Sequence, residues 1–195
     1  CNMARLADLM VSFREEHPLV QFRIYTATAD QVKERMENGL LDMGLLMEPV
    51  EIQRYDCVPM PYRERWGAIV RRDSPLARLE SVGPRELLPW PLLLPVRESV
   101  QELLASWFGE GQPQMRVAAR FDLHYNAAIM VKHNMGVALC HDLGTAYYDS
   151  LCQVPLSPDL ENGAVLAWKK EQKRSRAVES FIAHVLKISQ LEESL

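Results

Sequence analysis

Thr28-Ala29-Asp30-Gln31, followed by Val32 and Met36 and then by Asn38-Gly39-Leu40-Leu41-Asp42-Met43-Gly44-Leu45-Leu46-Met47, sets a helix directly before a buried strand. Thr28 with Gln31 reads as a capping box, in which each side chain satisfies the other residue's free amide, so a helix starts there. Val32 and Met36 keep one face apolar, and Asn38-Gly39 is a left-handed stop. Leu40 to Met47, interrupted only by Asp42 and Gly44, is the nearly continuous apolar run of a parallel strand covered on both faces. Within it, Asp42 reads as a buried carboxylate that bonds nearby amides.

Working outward, Met3, Leu6, Met10 and Phe13 fall at helical spacing. That helix must stop near His17, because Pro18 disfavours the α region for the residue before it. Val20, Phe22 and Ile24 then alternate with Gln21, Arg23 and Tyr25, the period-two pattern of a half-buried strand. After a loop around Glu48 to Asp56, Trp66 to Val70 is a further apolar strand, ending in the turn-rich Arg71-Arg72-Asp73-Ser74-Pro75.

The rhythm repeats from Leu92-Leu93-Leu94. Ser99 with Glu102 reads as a second capping box, opening a helix that carries Val100, Leu103, Leu104, Trp107 and Phe108. Met115, Val117, Ala119 and Phe121 alternate as a strand, 125 to 133 is a helix closed by Asn134-Met135-Gly136, and Val137 to Cys140 is a buried strand. Leu151 to Leu156 and Ala164 to Trp168 are two more strands, and Val178, Phe181, Ile182, Val185 and Leu186 define a last amphipathic helix. Helices alternating with buried strands give an α/β fold, and two such series without a fixed repeat predict two lobes with a cleft between them.

Composition narrows the function. The chain has 195 residues, 48% apolar and 25% charged, an ordinary globular profile. A chain of this size hides roughly 70% of its unfolded surface, so it needs no structural metal or disulfide. Cys1, Cys57, Cys140 and Cys152 lie far apart, which reads as four free thiols in a reducing cytoplasm. The most apolar stretch, Leu87 to Val96, is broken by three prolines, so no membrane span is expected. The 22 Lys and Arg against 26 Asp and Glu leave a net charge of −4, which offers no field for phosphate backbones. The basic run Lys169, Lys170, Lys173, Arg174 and Arg176 reads as a solvated turn. The glycines form neither a Gly-x-Gly-x-x-Gly nor a Walker pattern, so no nucleotide cofactor is expected.

Four stretches taken together resemble the effector domains of LysR-type bacterial transcriptional regulators. They are Phe13-Arg14-Glu15-Glu16-His17-Pro18-Leu19-Val20, Asn38 to Gly44, Arg72-Asp73-Ser74-Pro75-Leu76-Ala77, and Val131-Lys132-His133-Asn134-Met135-Gly136-Val137-Ala138. The resemblance implies a fold like type II periplasmic binding proteins, two Rossmann-like lobes joined by two crossing strands. Lobe I would be 1 to 63 with 159 to 195, and lobe II 64 to 158. It implies that the winged helix-turn-helix, the linker helix and the first strand of lobe I lie outside this chain, so DNA is contacted only through that missing part. It further implies a cytoplasmic homodimer, tetrameric in the full regulator, in which the first helix, with Met3, Leu6 and Met10, lies against the 125 to 133 helix of a partner. Cys140-His141 departs from the family, which often carries proline there.

Ligands in open α/β sheets sit beyond the carboxyl ends of strands, where helix N-termini present free amides and a partial positive charge. Three such points, Thr26 to Asp30, Arg97 to Gln101 and Asp122 to Tyr125, also match effector-lining segments by resemblance. On this reading Thr26, Thr28 and Ser99, with neighbouring amides such as that of Ala27, hold the polar head of a small anionic metabolite. Met47, Val100 and Tyr125 shape its apolar body, Arg97 pairs with its charge, and His124 lies in the third segment. Thr28 and Ser99 also read as plain helix caps, and both readings can hold at once. His124 and His141 have no partner at a recognisable spacing and read as surface or hydrogen-bonded histidines; no catalytic residue, metal ligand or cofactor is assigned. The other readings are a transporter's solute-binding protein, toward which an initial Cys1 would point, and an enzyme on the same fold, which would need converging acid, base or nucleophile.

Overall fold

A computed structural model describes residues 1–142 and 149–193, the side chains of 112, 192 and 193 aside. In chain order it has α1 (Asn2–Glu16), α2 (Ala29–Glu37), β1 (Gly44–Met47), β2 (Tyr55–Pro59), β3 (Glu64–Arg71), α3 (Pro84–Leu87), β4 (Pro91–Pro95), α4 (Glu98–Phe108), β5 (Arg116–Phe121), α5 (His124–Lys132), β6 (Val137–His141), β7 (Leu151–Pro155), β8 (Glu161–Asn162), β9 (Ala164–Lys169) and α6 (Arg176–Glu193). The chain divides into two compact units, Cys1–Arg63 with Gly163–Leu195, and Glu64–Asn162, and so crosses twice from one to the other.

In the first unit β9 is the middle strand of three, in the order β1-β9-β2. Its period-two alternation divides two layers of core. Ala164, Leu166 and Trp168 pack with Leu9 and Phe13 of α1 and Phe181, Ile182 and Val185 of α6, while Val165 and Ala167 pack with Ala29, Val32 and Met36 of α2 and Leu46 of β1. Gly39, at φ +69°, supplies the left-handed turn after α2. Gly44 lets β1 approach the helix, since a Cβ there would stand 2.8 Å from Val32 and 2.9 Å from Met36.

The second unit is a sheet in the order β5-β4-β6-β3-β7, with β8 paired to β3. β4 runs parallel to β5 and to β6, whereas β3 is antiparallel to both β6 and β7. Val100, Leu104 and Phe108 of α4 cover one face through Leu92, Leu94 and Leu139. Ala127, Ala128 and Val131 of α5 cover the other through Ile69, Leu93 and Ala138. Parallel strands joined by helices, with both faces of the sheet covered, make this the α/β architecture expected from the rhythm of the sequence.

Five local expectations give way. Val20 to Tyr25 forms no ladder; Val20 and Phe22 still pack inward, so the alternation records burial without a strand partner. The strand placed over Leu40 to Met47 begins only at Gly44 and is antiparallel to β9, because the strand beside it is the returning end of the chain. Leu40 is accordingly 65% exposed, and Asp42, read as buried, is exposed in the loop before β1. β2, in a region read partly as loop, pairs with the other edge of β9. Finally α4 begins at Glu98 with Arg97 as its N-cap residue, so the box drawn between Ser99 and Glu102 does not form and Ser99 sits inside the first turn.

Candidate functional site

The carboxyl ends of β4, β5 and β6 share one edge of the second unit, because the three strands run parallel. At that edge α4 starts after Arg97 and α5 starts after Leu123, neither with a side chain capping its first turn. The first amides of each helix, at Glu98 and Ser99 and at His124 and Tyr125, have no acceptor within their own helix. Two helix N-termini with their partial positive charge, and the Arg97 guanidinium, therefore gather on one rim.

β6 ends at the same rim with His141, which lies opposite Trp66 of β3 in the ladder. The Trp66 and His141 rings are 4.4 Å apart, and His141 and His124 are 6.4 Å apart. Phe121 stands edge-on to His124 at 5.8 Å. The Trp66 indole N–H donates to Asn162 Oδ1, and His141 Nε2 lies 3.3 Å from that same oxygen. Burial, reinforced by the neighbouring His141, pushes His124 down to about 4. Burial also lowers His141, with the Arg97 charge acting the same way and the Asn162 hydrogen bond opposing it. Both imidazoles are therefore neutral at neutral pH beside a permanent cation.

Of the residues expected from sequence, Arg97, Ser99, His124 and Tyr125 meet on this rim; the first three are half-buried and Tyr125 is 48% exposed. Val100 is 5% exposed and packs into the core beneath α4, so what it offers the rim is support. In the first unit Thr26 is exposed, Ala27 packs on the α2 core, and Thr28 caps α2. Thr28 N donates to Gln31 Oε1 at 3.1 Å and Gln31 N donates to Thr28 Oγ1 at 3.4 Å, the reciprocal box read from sequence. Met47 ends β1, half-buried against the α1–α6 core. His141 is the hydrogen-bonded histidine that its sequence suggested. Trp66 and Asn162 were not singled out from sequence; their only signal is a sheet register that joins positions far apart in the chain.

A depression of about 360 Å³ in the first unit, bordered by Lys33, Glu37, Arg54 and Tyr55, contains none of the expected site residues. Its polar groups already answer one another: Lys169 Nζ lies 2.9 Å from Glu37 Oε2, and the Tyr55 hydroxyl donates to Glu37 Oε1 at 2.9 Å. Among the described residues no group of three His, Cys, Asp or Glu could hold a metal ion, and no helix is long and apolar enough to cross a membrane.

Comparison with known proteins agrees with this architecture. The chain is 24% identical over 185 residues to the uncharacterized HTH-type transcriptional regulator YybE of Bacillus subtilis (strain 168), covering 92% of this chain and 62% of that protein. It thus spans less than two thirds of that regulator's length. The effector binding domain of QuiR in complex with shikimate superposes with a TM-score of 0.81 at 14% identity, covering 95% of this chain and 90% of that one. The BenM effector binding domain with its effector benzoate superposes with a TM-score of 0.71 at 18% identity, covering 96% and 87%. These likenesses establish the fold, that of LysR effector-binding domains and type II periplasmic binding proteins. The family model of the LysR substrate binding domain matches residues 3–189, and the chain belongs to that family.

Proposed function

We propose that this chain is the sensing part of a LysR-type transcriptional regulator and binds a small carboxylate metabolite. The observation that carries the reading is the rim of the second unit, where two uncapped helix N-termini and Arg97 meet neutral, aromatic-flanked imidazoles. The amides and Arg97 answer an anion, and Tyr125 and His124 supply flat partly apolar surface for its body. In the first unit, taken by itself, Thr26, Ala27, Thr28 and Met47 are the residues proposed to contact an effector. The structural neighbours include effector binding domains with shikimate and with benzoate, both small carboxylates, which supports the class.

A ligand held better in one arrangement of the regulator than in another shifts the population toward it, and that differential affinity is the signal. In this reading DNA contact belongs to a part outside these residues, the site of action is the cytoplasm, and the regulator works as a homodimer, tetrameric when whole. Met3 on α1 is 42% exposed and available to such an interface. A calorimetric titration of shikimate and of benzoate into the wild-type chain and into Ser99→Ala tests the site. The reading expects weaker binding in the variant, and unchanged binding removes Ser99 from the contacts.

A further inference from the structure

The hydrogen bonds around Asn162 fix a proton. An indole N–H can only donate, so the Asn162 carboxamide must turn its oxygen toward Trp66. His141 Nε2 shares that oxygen at 3.3 Å and must also be a donor. Neutral His141 is thereby held with its proton on Nε2 and its lone pair on Nδ1, on the side of the ring away from Asn162.

Resting on the effector reading above, we propose that His141, backed by Asn162 and Trp66, is a proton-linked contact of the site: the carboxylate binds more tightly when the His141 ring is protonated. The proton comes from solvent and bonds to Nδ1. The resulting imidazolium donates through Nδ1 to the ligand carboxylate and through Nε2 to Asn162, and no other bond changes. Burial and the Arg97 charge disfavour the His141 cation. A ligand carboxylate placed against the His141 ring favours its charged form, so binding raises the basicity of His141. His124, held lower at about 4, stays neutral near neutral pH, so the linkage is carried by His141.

The ionisable groups on the surrounding elements include Arg97 beside α4, His124 on α5, Glu64 and Arg65 on β3, Glu161 on β8, Cys140 on β6 and Asp142 just after it. Arg65 and Glu161 pair at 3.0 Å and largely cancel one another. Asn162 is the last residue of the second unit before one crossing, and Trp66 lies on the strand that follows the other. A charge gained at His141 therefore reaches, through one shared oxygen, both segments by which the chain passes between its units.

The test is a nuclear magnetic resonance titration of the His141 ring and the Trp66 indole N–H from about pH 8 to about pH 4.5. Signals are assigned with His141→Gln and Trp66→Phe, and the chain is measured free and saturated with shikimate or benzoate. The expected result is a free His141 midpoint below the ordinary imidazole value, with the Trp66 signal moving at the same midpoint. Saturation raises the midpoint by about one unit, equivalent to about tenfold tighter binding at the acid end than at the alkaline end. An acid that binds without moving the His141 midpoint overturns the proposal and leaves the effector reading standing. A Trp66 signal that stays flat while His141 titrates overturns it with or without ligand. Binding of neither acid at any pH overturns the effector reading for these acids and this proposal with it.

Discussion

Tyr55 and Glu37 are joined by a 2.9 Å hydrogen bond, donated by the phenol to a carboxylate that also holds Lys169 at 2.9 Å. The bond ties β2 to α2, whose residues share one layer of the first unit's core. Burial, with the Glu37 bond and charge adding to it, pushes the Tyr55 phenol up to about 12. Because the folded value lies above the unfolded one, the stabilisation is complete below about pH 10 and is lost as the pH rises toward 12. A phenolate absorbance titration should show one tyrosine ionising near 12, and that step should vanish in Tyr55→Phe.

His124 carries the opposite sign. Its folded value of about 4 lies below the ordinary imidazole value, so stability is present above about pH 6.5 and lost as the pH falls toward 4, where the unfolded chain takes up a proton that the folded chain refuses. The loss is on the order of 3 kcal/mol across that window, with lowered His141 acting in the same direction. Urea melts at a series of pH values should show it, and His124→Gln should flatten the profile between pH 4 and 6.5.

Thr28 serves as a cap whether or not it also meets a ligand. Thr28→Ala should cost about 1 kcal/mol of stability, read from urea denaturation, by releasing the Gln31 amide. Ser99→Ala should cost less, since Ser99 caps nothing.

Burial, with Asp142 adding to it, pushes the Cys140 thiol up to about 12. It packs beneath α5 with Ile69, Leu93 and Val131. A thiol reagent at neutral pH should therefore modify exposed Cys1 in the native chain and leave Cys140 unmodified until the chain unfolds.

How far the sequence carried these conclusions differs from element to element. The Thr28–Gln31 box, α5 with its Asn134-Met135-Gly136 ending, and β9 were legible because each rests on neighbours in sequence. Ser99 and Glu102 have the spacing of a box, but the N-cap of α4 is Arg97, two residues earlier, and the hydroxyl of a first-turn residue no longer faces the free amides as a cap does. β2 was missed because Tyr55-Asp56-Cys57-Val58-Pro59 mixes charge and proline with its apolar residues, and what makes it a strand is the β9 edge more than a hundred residues away. At the rim, Arg97, Ser99, His124 and Tyr125 followed from the rule about strand ends. Trp66 and Asn162 did not, because only the β3–β6 and β3–β8 ladders bring them to His141.

The central claim is that a small carboxylate is held at the Arg97 rim, and a thermal-shift screen of such acids on the wild-type chain and on Arg97→Ala tests it most directly. The account predicts that at least one acid raises the wild-type melting temperature progressively with its concentration, and that the rise shrinks sharply in the variant. An acid that stabilises both proteins equally would contradict it.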